Sequence, residues 1–158
     1  MQYVIGIGEM KTSTNPDDVL VTYSLGSCVG LSLYDPTRGI GGLIHCMLPL
    51  SKIDPDKARG NPERFTDTGV LCLLQALLDL GAERSRLIAK VAGAASLLDE
   101  KGLFRIGERN HTVLRKVLWK NNILIDGEDV GGTAARTMYL YMNSGTTIIR
   151  SAGQETKL

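Results

Sequence analysis

Residues 25–49, LGSCVGLSLYDPTRGIGGLIHCMLP, set two apolar runs on either side of a polar turn. Cys28 to Tyr34 reads as one strand and Ile40 to Leu48 as the next. Between them Asp35-Pro36-Thr37-Arg38-Gly39 supplies turn chemistry, with proline pre-setting one φ and glycine closing the loop. A two-residue turn at Pro36-Thr37 would put Cys28 directly opposite His45. Facing residues of an antiparallel pair have Cβ atoms about 4.5–5.5 Å apart, so thiol and imidazole would share one face. Strand alternation sends Cys46 to the other face, where a buried and inert thiol is expected.

Outward from this hairpin, Val19 to Leu25 is rich in Val, Leu, Thr and Tyr and ends at Gly26-Ser27, so the three strands read as a meander. Ser51 to Asn61 carries Pro55, Gly60 and charged residues without apolar periodicity, which reads as a surface loop. Pro62 can open a helix whose Phe65, Leu73, Leu74, Leu77, Leu78 and Leu80 recur at helical spacing until Gly81 stops it. Leu87 to Ala92 is a short apolar strand, followed by the small residues Gly93-Ala94-Ala95-Ser96. Arg109 to Asn121 forms a second helix, and Ile123 to Asp129, Thr137 to Met142 and Thr146 to Arg150 read as further strands.

Strands that come in runs, with two main helices that do not alternate with them, predict an α+β fold: a single-domain layered sandwich of mostly antiparallel strands. Residues 1–152 form that domain in this reading, and Gly153 to Leu158 a frayed C-terminal tail. A chain of 158 residues buries roughly 70% of its unfolded surface, so neither metal nor disulfide is needed for stability.

Composition narrows the function classes. The 18 basic and 17 acidic residues are scattered, with no Lys/Arg track for nucleic acid. No segment approaches the ~20 apolar residues that cross a bilayer, and Met1 to Glu9 lacks a secretory pattern, so a cytoplasmic protein without membrane insertion is expected. Cys28, Cys46 and Cys72 are then free thiols.

A thiol at the end of a Gly-Ser turn lies where strand hydrogen bonding begins, so backbone amides around Ser27 to Val29 could hold an oxyanion. A neighbouring imidazolium lowers a thiol pKa below ~8.5 and populates the thiolate. His45 would return the proton, oriented by a hydroxyl from Thr22 or Ser24 one strand away. On spacing alone, the ordinary reading of Cys28 and His45 is a buried thiol and a satisfied histidine. A zinc site from Cys28, His45, Cys46 and Cys72 lacks close ligand spacing, and alternation sets two of the ligands on opposite faces. His111 reads as a surface helical residue, and Gly6-Ile7-Gly8 and Gly131-Gly132 as turn or bulge glycines without a phosphate-cradling pattern. Asp129-Val130-Gly131-Gly132 could line a cleft or simply end a strand.

Leu25-Gly26-Ser27-Cys28-Val29 followed by Ile44-His45-Cys46-Met47-Leu48-Pro49 resembles the CheD chemoreceptor glutamine deamidases. The likeness continues in family order through Gly6-Ile7-Gly8-Glu9, Arg64-Phe65-Thr66-Asp67, Ile106-Gly107-Glu108-Arg109-Asn110 and Asp129-Val130-Gly131-Gly132. Ala94 and Ala135 stand where that family usually keeps glycine. The resemblance implies a cysteine hydrolase that converts glutamines of methyl-accepting chemotaxis receptors to glutamates, in a fold similar to toxin deamidases. It implies Cys28 as nucleophile, His45 as catalytic histidine and Thr22 as the orienting threonine; the backbone amides of Ser27 and Val29 remain the expected oxyanion support, and the thiol chemistry calls for no cofactor. It also implies a CheC-type phosphatase partner and leaves room for receptor methyl-ester hydrolysis. A non-catalytic adaptor that binds CheC or receptors is the alternative.

Overall fold

The computed structural model describes residues 1–96 and 105–158. In chain order the strands are β1 (Gln2–Val4), β2 (Met10–Ser13), β3 (Val19–Leu25), β4 (Val29–Asp35) and β5 (Ile40–Cys46). Helices α1 (Pro55–Gly60) and α2 (Thr66–Asp79), strand β6 (Ile88–Gly93) and helix α3 (Ile106–Lys120) follow. The chain closes with β7 (Ile125–Val130), β8 (Arg136–Tyr141), β9 (Thr146–Ser151) and β10 (Gln154–Lys157).

Two five-stranded sheets result, ordered β1-β3-β8-β9-β10 and β2-β5-β4-β6-β7. Among the described residues the β1–β3 and β6–β7 ladders are parallel and the other ladders antiparallel. Leu20, Leu25, Leu43, Met138, Leu140 and Ile149 fill the space between the sheets. On the outer face of the second sheet, Leu31, Leu33, Ile44 and Cys46 pack against Leu73 and Leu77 of α2 and Leu114 and Leu118 of α3. The layers are therefore sheet, sheet and helices, the α+β sandwich that the strand runs imply. Strands β4 and β5 are covered on both faces and buried along their whole length, which is why their apolar residues run on instead of alternating.

Four local readings are corrected. The three strands of the expected meander do not lie side by side: β3 pairs with β1 and β8, whereas β4 pairs with β5 and β6. The Gly26-Ser27 turn is a crossing from one sheet to the other, a route that residue types alone do not distinguish from a hairpin. Second, the β4–β5 turn holds four residues, because Asp35 pairs with Ile40. Its carboxylate accepts the amides of Thr37 and Arg38 (3.0 and 3.4 Å), and Gly39 donates to its carbonyl at 2.9 Å. Burial alone would raise the Asp35 carboxyl, but Arg86 and the amides of Glu83, Thr37 and Arg38 hold it at about 2. Third, Ser51 to Asn61 contains α1, whose first turn Asp54 caps through the Lys57 amide; it buries no residue and so leaves no periodic signature. Fourth, residues 153–158 are not a frayed tail. Gln154 to Lys157 pairs with β9, and the Leu158 amide donates to Thr147 at 3.0 Å. Among the described residues no helix is long and apolar enough to cross a membrane.

Candidate active site

Cys28 sits at the crossing between the sheets, one residue before β4. Val29 pairs with Cys46 and Gly30 with His45. The register therefore points Cys28 toward Met47, with His45 two residues along on the diagonal, and the direct Cys28–His45 pairing expected from a two-residue turn is not formed. A displacement of two residues preserves side-chain parity. Cys28 consequently still faces the space between the sheets, on the same side as His45, while Cys46 lies in the helix-side core.

His45 is 1% exposed and Thr22 wholly buried. Thr22 lies on β3 of the opposite sheet, and its Oγ1 is 2.7 Å from His45 Nδ1. The same hydroxyl donates to the Ile5 carbonyl at 2.7 Å. A hydroxyl has a single proton, and a carbonyl can only accept, so Thr22 must accept from the imidazole. Nδ1 therefore carries the hydrogen and Nε2 the lone pair. His45 Nε2 is buried without a hydrogen-bond partner among the described residues, an arrangement that costs about 1–3 kcal/mol in an ordinary core. The other hydroxyl considered, Ser24, is exposed and lies at the irregularity where the β3–β8 register shifts.

The main chain of His45 is held from its other edge. Gly8 donates to the His45 carbonyl at 2.8 Å, and His45 donates to the Glu9 carbonyl at 3.1 Å. Gly6-Ile7-Gly8-Glu9 thus brackets the histidine, a role that its reading as turn glycines misses. Because His45 uses its N–H and C=O toward β2, the next residue, Cys46, faces β4 and its partner Val29. The Val29 amide belongs to that ladder, so Val29 is not a free oxyanion donor. The amides of Ser27 and Cys28 donate to no carbonyl among the described residues.

Electrostatics favour a neutral pair at rest. Burial pushes the Cys28 thiol up, opposed by its own backbone amide and by the Arg64 guanidinium. Burial alone lowers His45 to about 4. At neutral pH the site holds a thiol and a neutral imidazole, in place of the thiolate and imidazolium expected from the sequence. Arg64, whose Nε is also buried without a hydrogen-bond partner among the described residues, is a nearby cation that spacing did not single out.

The remaining candidates separate from this cluster. Burial raises the pKa of both Cys46 and Cys72. Cys46 lies on the helix side, so the four residues weighed for zinc do not converge, and no metal-ligating group of three is found among the described residues. His111 pairs with Glu128 at 2.9 Å, linking α3 to β7. Asp129, the penultimate residue of β7, binds Arg136, which also donates to the Gly93 carbonyl at 3.0 Å. That carbonyl flanks the tight contact behind Cys28, where a side chain at Gly93 would come 2.4 Å from the Cys28 oxygen.

Sequence comparison supplies the family. Residues 47–151 match the family described as CheD chemotactic sensory transduction. The chain is 47% identical over 157 residues to the Solibacter usitatus (strain Ellin6076) protein named "Probable chemoreceptor glutamine deamidase CheD", covering 99% of this chain and 93% of that one. A Syntrophus aciditrophicus (strain SB) protein, "Probable chemoreceptor glutamine deamidase CheD 1", is 46% identical over 150 residues, 95% of this chain and 94% of its own. A third relative, from Symbiobacterium thermophilum and named like the first, is 44% identical over 156 residues, 95% of this chain and 92% of its own. With such identity along nearly the full length of both partners, the chain belongs to the CheD family.

Proposed function

We propose that this protein hydrolyses glutamine side chains of chemoreceptors to glutamate through a thioester on Cys28. The observation that carries this reading is the polarity of the Thr22–His45 contact, which leaves an unprotonated Nε2, without a hydrogen-bond partner among the described residues, on the face that Cys28 shares. The names of the relatives, chemoreceptor glutamine deamidases, supply the substrate class.

In the first half-reaction the Cys28 thiol gives its proton to His45 Nε2 as Sγ bonds to the carboxamide carbon. The carbonyl electrons move onto oxygen, where backbone amides of the Ser27-Cys28 turn receive them. Collapse breaks the C–N bond, and the imidazolium protonates the departing amine to ammonia. In the second, His45 takes a proton from water as the hydroxide adds to the thioester. Collapse breaks the C–S bond, and the thiol is restored as glutamate leaves. Receptor methyl glutamate would give the same thioester with methanol as leaving group. No step needs a cofactor.

A neutral pair suits this cycle, because the proton transfer happens only when substrate is attacked. Free Cys28, Cys46 and Cys72 fit the reducing cytoplasm expected for the chain. A CheC-type phosphatase, implied by the family resemblance, is the partner to test for binding.

The test is mass spectrometry of a receptor cytoplasmic fragment after incubation with wild type, Cys28→Ala and His45→Ala. A gain of about 1 Da per glutamine with wild type alone is expected from acyl transfer through the thiol. Receptor or CheC binding without any gain would replace the hydrolase with the adaptor.

A further inference from the structure

Asn110, on the second turn of α3, is completely buried. Its Oδ1 accepts from Thr66 Oγ1 at 3.1 Å, and its Nδ2 donates to the carbonyls of Ser27 (2.9 Å) and Met47 (3.0 Å). One carboxamide therefore joins the start of α2, the residue after β5 and the turn that carries Cys28. The carbonyls on either side of Ser27 are held as well. Gly26 accepts from the Ala95 amide and Cys28 from the Ala94 amide, both at 2.8 Å. The first turn of α3 presses against this segment, since a side chain at Gly107 would come 2.5 Å from the Ala95 oxygen.

Three consecutive carbonyls are thus tied down while the Cys28 amide donates to none among the described residues. No peptide bond among the described residues is cis, so each of their N–H groups points opposite to the carbonyl of its own peptide unit. The Ser27 carbonyl is turned toward Asn110 and the helix layer. The Cys28 N–H must then face away from the helices, toward the intersheet space where the thiol lies. Its effect on the thiol agrees, because the Cys28 amide favours the thiolate of its own side chain.

We propose that Asn110 is a positioning residue: by holding the Ser27 carbonyl it aims the Cys28 N–H at the oxygen that becomes negative when Sγ attacks the glutamine amide. The role rests on the Cys28 hydrolase reading, and it acts on the transition state. The carboxamide touches neither the substrate nor the thiol.

The experiment compares receptor-fragment deamidation with alkylation of Cys28 by iodoacetamide, followed by peptide mapping. Alkylation needs the thiolate but develops no oxyanion. Asn110→Ala is expected to lower kcat about 10²-fold while KM and the Cys28 alkylation rate stay within about threefold. In Asn110→Asp, a carboxylate meets two carbonyl oxygens at neutral pH but can donate once protonated, so its kcat relative to wild type should rise on acidification. Thr66→Val, which removes the hydroxyl's contacts to Oδ1 and to the Cys46 thiol but leaves both Nδ2 donations in place, should leave kcat within about threefold. Undiminished kcat in Asn110→Ala, or alkylation that falls in step with kcat, overturns the role of Asn110. If Asn110→Ala does not fold, an Asn110→Asp ratio that is flat with pH overturns it. Wild type without Cys28-dependent deamidation overturns the underlying reading and this role with it.

Discussion

Thr22 and His45 belong to different sheets yet share a 2.7 Å hydrogen bond whose direction is set by a third residue, Ile5. The Ile5 carbonyl takes the only proton of the hydroxyl, so the tautomer of His45 is decided outside the pair. Thr22→Val should lower kcat about 10²-fold with little change in KM, because the imidazole loses both its anchor and its tautomer preference. Thr22→Ser keeps the hydroxyl and should recover to within about tenfold of wild type. Receptor deamidation followed by mass spectrometry checks both.

On the proposed mechanism the buried histidine also fixes the acid limb of the rate profile. With His45 held at about 4, the base remains neutral well below the range of an ordinary imidazole. The kcat/KM at roughly pH 5.5 should stay close to that at neutrality, whereas a base titrating near 6.5 would have lost most of its activity. A stopped-time pH series on the receptor fragment distinguishes the two.

The same shift makes folding sensitive to acid in a defined window. Between about 6.5 and about 4 the unfolded chain binds a proton at His45 that the folded chain refuses, so stability falls as pH drops through that range. The loss amounts to roughly 3 kcal/mol at most. Urea denaturation of wild type should show this slope, and His45→Gln, which cannot titrate, should flatten it.

Behind Cys28, Gly93 has a φ of 104°, and a Cβ there would meet the Cys28 oxygen at 2.4 Å. Gly93→Ala must therefore strain the backbone or push the Cys28 turn aside. Deamidation should drop at least about tenfold and stability by about 1–3 kcal/mol. Gly131→Ala, a control in the next turn with nothing near its would-be Cβ, pays the strain of positive φ without that collision and should keep more activity.

The layered α+β architecture was legible because strand runs and helical apolar spacing survive in residue types. So was the shared face of Cys28 and His45, although the turn holds two more residues than its Pro-Thr centre suggested: parity tolerates that error and exact pairing does not. What escaped was set by contacts distant in sequence. Nothing local distinguishes Thr22 from Ser24 until the opposing sheet buries one and leaves the other in solvent. The Asn110 contacts span 44, 83 and 63 residues, and Gln154 to Lys157, entirely exposed, carries no apolar mark of the strand it forms.

The crossing at Gly26-Ser27 ties the arrangement of Cys28, His45 and Thr22 to the docking of the two sheets. The thiol is attached to one sheet and the hydroxyl that sets the proton on its base to the other, so the reactive arrangement exists only when the sheets are docked. A nascent or partly opened chain has the same side chains but no instructed base. On the proposed mechanism, a chain whose sheets have come apart is therefore inactive.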